Sequence, residues 1–394
     1  MLGGSAMQRH YGLDWLRIGA FAILILYHVG MVFVPWDFHV KLARTWWVAV
    51  PMMASNPWRL ALLFVVSGYA SRALLVRNGA PWRFARQRSL RLLVPLAFGI
   101  AVIVPVQPWI ELTTRYGYDR GFVHFYLHDA FRFGAVGPVV LPAWNHLWFV
   151  GYLWIYTLVL AAAIALSPQR VRSAAQRGFA RVMRGPALLL LPIGWMILVN
   201  FALFPGGRET HALLDDWVAH FTYFPALLFG FALACAPQAL AAFVRRWRES
   251  AAIALAAFAL VAWIEIRWPG GTMPHVWGVT FSVARAVEGW AAVAALIGYA
   301  DGHWNRDHRW RPMLTEAVFP FYLVHQSIIV LVAFLLLPLA LPAWLDFVLL
   351  VIATVAGCWL FYLGGRAIGP LRPFIGLRRH ASRRTHVDPR PALA

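Results

Sequence analysis

The feature that most constrains this chain is a series of long apolar segments. A helix that crosses a bilayer needs about 20 mostly apolar residues, and the 394-residue sequence contains ten segments that fit that template. Only 13% of the residues are charged, against about a quarter in a typical soluble domain. The sequence therefore predicts an all-α polytopic membrane protein with about ten transmembrane helices. The predicted spans are 14–36, 58–77, 92–108, 144–166, 186–204, 217–235, 250–268, 276–299, 314–337 and 343–363.

The same composition excludes a disordered region, a coiled coil and a disulfide-stapled secreted module. Cys235 and Cys358 are the only cysteines, too few for a disulfide framework or a cysteine-rich metal site. The first apolar run carries Asp14, Arg17 and His28 and is not followed by a small-residue cleavage site. We therefore expect this run to be retained as a membrane span.

The basic residues give an orientation. A net charge of +19 raises the question of nucleic-acid binding. If both termini are cytoplasmic, however, most of the 35 lysines and arginines fall in cytoplasmic loops, as insertion predicts. The positive charge is thus a topology signal, with anionic lipid or a phosphate-bearing ligand as a secondary use. The expected domains are a cytoplasmic N-terminus (1–13), a membrane domain (14–363) and a basic cytoplasmic tail (364–394).

Titratable groups at mid-membrane depth are functional candidates, because charge in the hydrocarbon region is costly. Few residues qualify. His28 in the first span, His325 in the ninth and Glu288 in the eighth lie near the centres of their spans, and Ser67 lies at a similar depth in the second.

Arg17 and His28 share one helical face. They are eleven positions apart, which is about 20° beyond three full turns and roughly 16 Å along the axis. One ligand touches both only if it is long, anionic at one end and reactive at the other. An acyl-coenzyme A has this character, with its phosphates at the arginine and its thioester carried inward.

Five short motifs, in order along the chain, resemble those of the membrane-bound acyltransferase 3 family. They are the arginine and histidine of the first span (Asp14-Trp15-Leu16-Arg17 with Tyr27-His28), Phe64-Val65-Val66-Ser67-Gly68-Tyr69, Arg88-Ser89-Leu90-Arg91-Leu92-Leu93-Val94-Pro95, His146-Leu147-Trp148-Phe149, and Pro320-Phe321-Tyr322-Leu323-Val324-His325-Gln326. The last run is similar to the branch that contains glucan biosynthesis protein C.

The resemblance implies a ten-helix enzyme that moves an acyl group from cytoplasmic acyl-CoA to a hydroxyl of an extracytoplasmic glycan. In the glucan branch the group is succinyl and the acceptor is a periplasmic glucan. Larger family members carry a C-terminal soluble hydrolase-like domain. We expect none here, because 31 residues follow position 363.

The catalytic candidates are His28, His325 and Glu288. His28 is interpreted as a general base that takes the proton of the acceptor hydroxyl, with a transient acyl-histidine and a core histidine as alternatives. His325 either orients His28, binds the acyl or sugar group, or hydrogen-bonds a neighbouring helix. Glu288 either pairs with Arg285, one turn away, or fixes the tautomer of His28.

The donor candidates are Arg17, Arg88, Arg91 and Ser67. Guanidinium groups match phosphate oxygens, so the three arginines are expected to clamp the CoA phosphates. The alternatives are a snorkelling Arg17 and ordinary positive-inside residues at 88 and 91. Ser67, beside Gly68, either donates a hydrogen bond at the thioester or allows close helix packing.

The acceptor candidates are His146, Trp148 and Asp14. His146 and Trp148 are expected near the outer face, where aromatic rings stack on sugars, although interfacial belts are the common explanation of such aromatics. No metal is expected: His124 and His128 have i, i+4 spacing but lack a third ligand.

These observations favour a bacterial inner-membrane O-acyltransferase. Its expected partners are succinyl-CoA or acetyl-CoA, a glycan and the lipid bilayer, without nucleic acid, and the oligomeric state is left open, a homodimer included. Within the enzyme class, the alternative is acetylation of another surface polysaccharide. A proton-coupled secondary transporter using His28, His325 and Glu288 is the rival class, although the sequence shows no matching halves. A non-catalytic scaffold makes no use of mid-membrane histidines.

Overall fold

A computed structural model describes residues 10–378, and this part of the chain is almost entirely helical. A short antiparallel hairpin, β1 (Gly134–Val136) and β2 (Val139–Leu141), pairs Ala135 with Val140. The helices are α1 Tyr11–Gly30, α2 Trp46–Met53, α3 Asn56–Asn78, α4 Pro81–Phe98, α5 Val106–Arg115, α6 Phe122–His124, α7 Trp148–Leu166, α8 Gln169–Val182, α9 Ala187–Leu198, α10 Trp217–Leu233, α11 Pro237–Arg267, α12 His275–His303, α13 Arg311–Leu336 and α14 Ala343–Ala367.

Eight helical segments of the described chain are long and apolar enough to cross a membrane. They correspond to eight of the ten predicted spans, and they confirm an all-α polytopic membrane protein. The segments are Tyr11–Gly30, Trp46–Asn78, Pro81–Arg115, Asn145–Leu166, Pro237–Arg267, His275–His303, Arg311–Leu339 and Ala343–Ala367.

The other two predicted spans form shorter elements. For 186–204, the structure has α9 and a π-helical turn, Val199–Leu203, and α8 precedes them at a bend of 106°. This bent pair counts at most as a ninth span. For 217–235, the structure has α10, which is 17 residues long. The predicted number of about ten is reached only when both elements are counted.

The predicted span 92–108 was too short. A near-continuous helical segment runs from Pro81 to Arg115 and contains a π-helical turn at Gly99–Ile103. Pro95 and Pro105 flank this turn. Because proline lacks an N–H and its ring displaces the preceding turn, such irregularities let a helix continue with a bend instead of ending.

Two glycines allow α3 and α10 to touch backbone to backbone. A Cβ at Gly68 would overlap the carbonyl of Leu227, and a Cβ at Gly230 would overlap the carbonyl of Val65. On the same interface, the buried ring of Phe64 stacks on Tyr223, with 5.0 Å between ring centroids. Small residues commonly allow helices to approach closely in membranes. Gly68 and Gly230 therefore determine how closely α3 and α10 approach each other.

The start of α1 is tied to the start of α13. Arg311 donates to Asp14 over 2.9 Å, and the backbone N–H of Tyr11 donates to the side chain of Asn305. The helix thus begins inside the predicted N-terminal segment 1–13, of which residues 1–9 lie outside the described chain.

The predicted basic tail, 364–394, is structured in its first part. Helix α14 continues to Ala367, and a 3-10 helix, Gly369–Ile375, follows it. Arg372 is buried there and donates to the carbonyls of Arg366 and Arg378. The first part of the tail therefore belongs to the folded domain, and residues 379–394 lie outside the described chain.

Replacing Gly230 by alanine should destabilise the protein by about 1–3 kcal/mol, the usual cost of overpacking, because the new methyl group meets the Val65 carbonyl. Gly194→Ala is the matched control, since a Cβ at that helical position meets nothing within 4 Å. The melting temperature of detergent-purified protein should fall for Gly230→Ala only. Equal melting temperatures for the two variants would contradict the backbone contact.

Candidate functional site

His28 and His325 form a hydrogen-bonded pair inside the helical bundle. The Nδ1 atom of His28 lies 2.9 Å from the Nε2 atom of His325, although the residues are 297 positions apart. His28 lies near the end of α1 and His325 near the middle of α13, and His325 is fully buried. The structure therefore joins two of the three catalytic candidates directly.

The backbone of α13 fixes the direction of this hydrogen bond. His325 Nδ1 lies 2.8 Å from the carbonyl oxygen of Tyr322 and 3.2 Å from that of Phe321. A carbonyl only accepts, so Nδ1 of a neutral His325 carries the proton and its Nε2 must accept. His28 then donates from Nδ1, which leaves its Nε2 atom unprotonated. This is the state required of a base.

His146 adjoins the pair from the start of the α7 segment. Its ring centroid lies 5.0 Å from that of His325, and its Nε2 lies 3.2 Å from the carbonyl of Leu323. The Tyr322 hydroxyl donates to the His146 carbonyl. His146 is buried, so the structure places it with the internal histidines and away from the sugar-stacking surface that the sequence suggested.

A cationic and aromatic group surrounds Tyr27, whose ring centroid lies 6.0 Å from that of His28. The guanidinium of Arg59 stacks on the Tyr27 ring at 3.7 Å from its centroid. Asn56 donates to the Tyr27 hydroxyl over 2.6 Å and accepts from Arg285 over 2.9 Å. These contacts hold Tyr27, the residue before His28, from two directions.

A polar network near the C-terminal end of α1 was missed by the sequence analysis. His39 and Glu111 approach to 2.5 Å, and Gln326, next to His325, donates to His39 Nε2 over 3.1 Å. Gln326 also donates to Gln107. His39 lies outside the predicted span centres and is 72 positions from Glu111, so no local spacing signals the pair.

The loop after α1 is closed by Lys41, which donates to the carbonyls of Met31 and Val34. Burial lowers the pKa of Lys41 to about 8, with smaller contributions from nearby charges. The lysine supplies donors for carbonyls that the end of the helix leaves unpaired.

Glu288 is not brought to His28. It is 1% exposed, and neither of its carboxylate oxygens has a hydrogen-bond partner within residues 10–378. Arg285, one turn away on the same helix, donates to Asn56 and makes no hydrogen bond to Glu288 in the described chain. Neither of the two roles considered for Glu288, the pairing to Arg285 or a contact to the His28 tautomer, is therefore made as a hydrogen bond.

Arg88 and Arg91 line a cavity of about 350 Å³ at the end of the bundle where α1 begins. Arg77 and Arg378 line it too, and the Nε of Arg88 is buried without a partner in the described chain. Arg17 is close enough for its charge to act on both Arg88 and Arg91. Two of the three predicted arginines, Arg88 and Arg91, therefore line one cavity together with Arg77 and Arg378, and Arg17 does not line it.

Arg17 and His28 both face α13. Arg17 contacts the Thr315 carbonyl at 3.5 Å, and His28 contacts His325. Between them on this face, Phe21 and Leu24 are buried, and the Phe21 ring lies 5.6 Å from that of Tyr322. The shared face agrees with the predicted spacing, and packed side chains separate its two ends.

The remaining candidates lie apart from the histidine pair. Ser67 precedes the glycine that packs against α10, and its carbonyl accepts from Ser71. Trp148 is buried and stacks on His211 at 4.3 Å. Asp14 is engaged by Arg311 at the opposite end of α1 from His28. The three predicted acceptor residues thus do not form one surface.

No group of three or more histidine, cysteine, aspartate or glutamate side chains in residues 10–378 has the geometry of a metal site. The His124 and His128 rings lie 4.5 Å apart between centroids at an angle of 34°, and Arg120 contacts His124.

A family model described as an acyltransferase domain, that of acyltransferase family 3, matches residues 10–363. No curated protein and no solved structure matches the chain. The match includes both histidines of the pair and all three predicted donor arginines.

The tautomer of His28 is directly measurable. At pH 8, where an ordinary imidazole with a pKa of about 6.5 is neutral, nitrogen-15 spectra of histidine-labelled protein should show His28 protonated at Nδ1. The His28 signal is assigned by its loss in His28→Gln. In His325→Ala the acceptor is gone, so His28 should become a mixture of tautomers. Protonation at Nε2 in the unaltered protein would refute the assigned direction.

Proposed function

Because the chain belongs to the acyltransferase 3 family, we propose that it transfers an acyl group from an acyl-CoA donor to a hydroxyl of a glycan. The observation that carries the proposal is the His28–His325 pair, which leaves an unprotonated nitrogen on a half-buried ring inside the bundle. Transfer of an acyl group from a thioester sulfur to a hydroxyl oxygen needs such a nitrogen to accept the hydroxyl proton.

In the proposed reaction, His28 Nε2 accepts the proton of the acceptor hydroxyl while the oxygen attacks the thioester carbonyl. The tetrahedral intermediate collapses, the carbon–sulfur bond breaks, and the thiolate takes the proton back from His28. His325 acts as a positioning residue, because its Nε2 accepts the Nδ1–H of His28 throughout. Attack by His28 itself, giving an acyl-histidine, uses the same nitrogen and is the alternative route.

The arginine-lined cavity is the proposed donor site. Arg88, Arg91 and Arg378 line it, and guanidinium groups bind phosphate oxygens in a bidentate manner. CoA carries several phosphates, so a cluster without a carboxylate among the cavity residues suits it. Arg17 lies on α1 eleven positions before His28 and contacts the Thr315 carbonyl; its proposed role is to meet the donor between the cavity and the histidines.

The thioester arm needs a path from the arginines to His28. In this structure Phe21, Leu24 and Tyr322 fill the interval. We therefore propose that the donor arm reaches His28 by displacing the Phe21 side chain.

The proposed setting is a bacterial inner membrane with both termini in the cytoplasm, since arginines concentrate at the end of the bundle that holds the donor cavity. The proposed group is succinyl and the acceptor a periplasmic glucan, as in the glucan biosynthesis protein C branch. Acetylation of another envelope polysaccharide uses the same site and chemistry.

The transporter alternative is less well supported. A proton relay through the membrane needs its titratable groups in contact. Glu288 makes no hydrogen bond to either histidine in the described chain.

Replacing His28 by alanine should lower the rate of acyl transfer by about 10²–10⁴-fold, the usual contribution of a general base, without weakening CoA binding. Transfer is measured as labelled acyl groups on glycan, and CoA binding as thermal stabilisation in detergent. His128→Ala, at an exposed histidine, is the control. Turnover near that of the unaltered protein would refute the assignment of the base.

Arg88→Ala should raise the dissociation constant for CoA by roughly tenfold, or about 1.4 kcal/mol, since it removes one phosphate contact. Arg86→Ala is the matched control, because Arg86 is exposed on the same helix and does not line the cavity. Calorimetry or thermal shift with CoA measures both variants. If Arg88→Ala and Arg86→Ala bind CoA alike, the donor site is elsewhere.

A further inference from the structure

A second cavity, of about 380 Å³, lies beyond the end of α1 that carries His28. Its walls come from the loop after α1, the starts of α2 and α3, and the facing ends of α11 and α12. The aromatic and polar side chains that line it include Trp36, Trp46, Asn56, Glu265, Phe281 and Arg285. None of them was among the candidates from sequence, and the reaction described above does not use them.

We infer that this cavity binds the sugar units of the acceptor glycan. The inference rests on the proposed acyl transfer and adds to it where the acceptor is held and by which groups. A pyranose ring presents an apolar face of C–H groups and a rim of hydroxyls, so its sites combine aromatic walls with a few polar groups.

The cavity provides both kinds of group. Trp36, Trp46 and Phe281 supply aromatic walls. Asn56, Glu265 and Arg285 supply two donors and an acceptor for hydroxyl groups. Glu265 is buried with one oxygen accepting from the Gly270 N–H, so the carboxylate is held in place.

The charge of this cavity separates it from the donor cavity. Its charged lining residues are one arginine, Arg285, and one glutamate, Glu265. The donor cavity is lined by four arginines and no carboxylate. A balanced set suits an uncharged, hydroxyl-rich ligand, and an unbalanced cationic set suits phosphates. The two cavities thus match the two different substrates of one transfer reaction.

The loop of Gly270 and Gly271 shapes the aromatic wall. Both glycines have positive φ, 72° and 82°, a conformation that other residues rarely adopt. A Cβ at Gly270 would lie 2.8 Å from the Trp46 ring. The indole edge therefore packs directly on the backbone of this loop, while 39% of the Trp46 surface stays exposed.

The cavity is coupled to the histidine pair through Tyr27. Asn56, on the cavity wall, donates to the Tyr27 hydroxyl over 2.6 Å. Trp36, also on the wall, lies 6.3 Å from the Tyr27 ring. The Tyr27 ring centroid in turn lies 6.0 Å from that of His28, so Tyr27 connects the cavity wall to the proposed base.

The test compares two neighbouring tryptophans. Trp46 lines the cavity, whereas Trp47 is 75% exposed and does not line it. Transfer is measured from labelled succinyl-CoA and acetyl-CoA to total envelope glycan extracted from a strain deleted for this protein. Trp46→Ala should raise the KM for glycan at least roughly tenfold, as expected for loss of a central aromatic contact. The dissociation constant for CoA should stay unchanged, and Trp47→Ala should behave as the unaltered protein.

Two further variants distinguish a loss of glycan binding from a loss of folded protein. Trp46→Phe should recover most of the glycan affinity, and Glu265→Gln should raise the glycan KM while leaving the melting temperature within about 2 °C of the unaltered protein. A merely structural tryptophan would lower stability and both substrate affinities together.

The outcomes separate the two proposals. If the unaltered protein transfers no acyl group to the glycan pool and CoA does not stabilise it, the proposed function fails. If it transfers normally and Trp46→Ala keeps the KM of Trp47→Ala, the function stands and the acceptor cavity is refuted. If it binds CoA but acylates only non-carbohydrate acceptors, the sugar assignment is refuted.

Discussion

The hydrogen bond from His28 to His325 is the interaction on which the proposed acyl transfer depends. In a pair of neutral imidazoles, the position of each proton is defined only if a further group fixes the tautomer of one ring. The Tyr322 carbonyl does so, and it belongs to the backbone of α13. The base is therefore set by helix geometry, without a carboxylate. A buried carboxylate at this point would pay a large desolvation cost.

The bundle around this pair has two chemically different ends. One cavity collects arginines from α3, α4 and the segment after α14. The other combines tryptophan with one arginine and one glutamate. The interval is filled by Phe21, Leu24 and Tyr322. The proposed transfer reaction uses these parts in order, with the arginine cavity for the donor, the histidine pair as base and the second cavity for the acceptor. Close packing such as that at Gly68 and Gly230 keeps the helices at fixed positions around it.

Much of this arrangement followed from local sequence. Segment length and hydropathy predicted the helices to within a few residues at 144–166 and 276–299, because a membrane span needs a minimum apolar length. The errors came at Pro81–Arg115, where the helix continues past its prolines through a π-helical turn, and before α9, where the helical pair α8–α9 bends by 106°. Helical periodicity placed Arg17 and His28 on one face, since eleven residues nearly complete three turns.

The sequence by itself determined the fold class, the family, the shared face of α1 and the concentration of arginine at one end. Only the tertiary structure decided that His28 donates to His325 across 297 positions and that His39 contacts Glu111. It also decided that Glu288 makes no hydrogen bond to these histidines in the described chain and that His146 is buried. It also formed the second cavity, which combines the loop after α1 with residues of α2, α3, α11 and α12. The reason is physical: hydropathy and periodicity describe one helix at a time, whereas the contacts between helices depend on their rotation and crossing, which are set by packing around small residues.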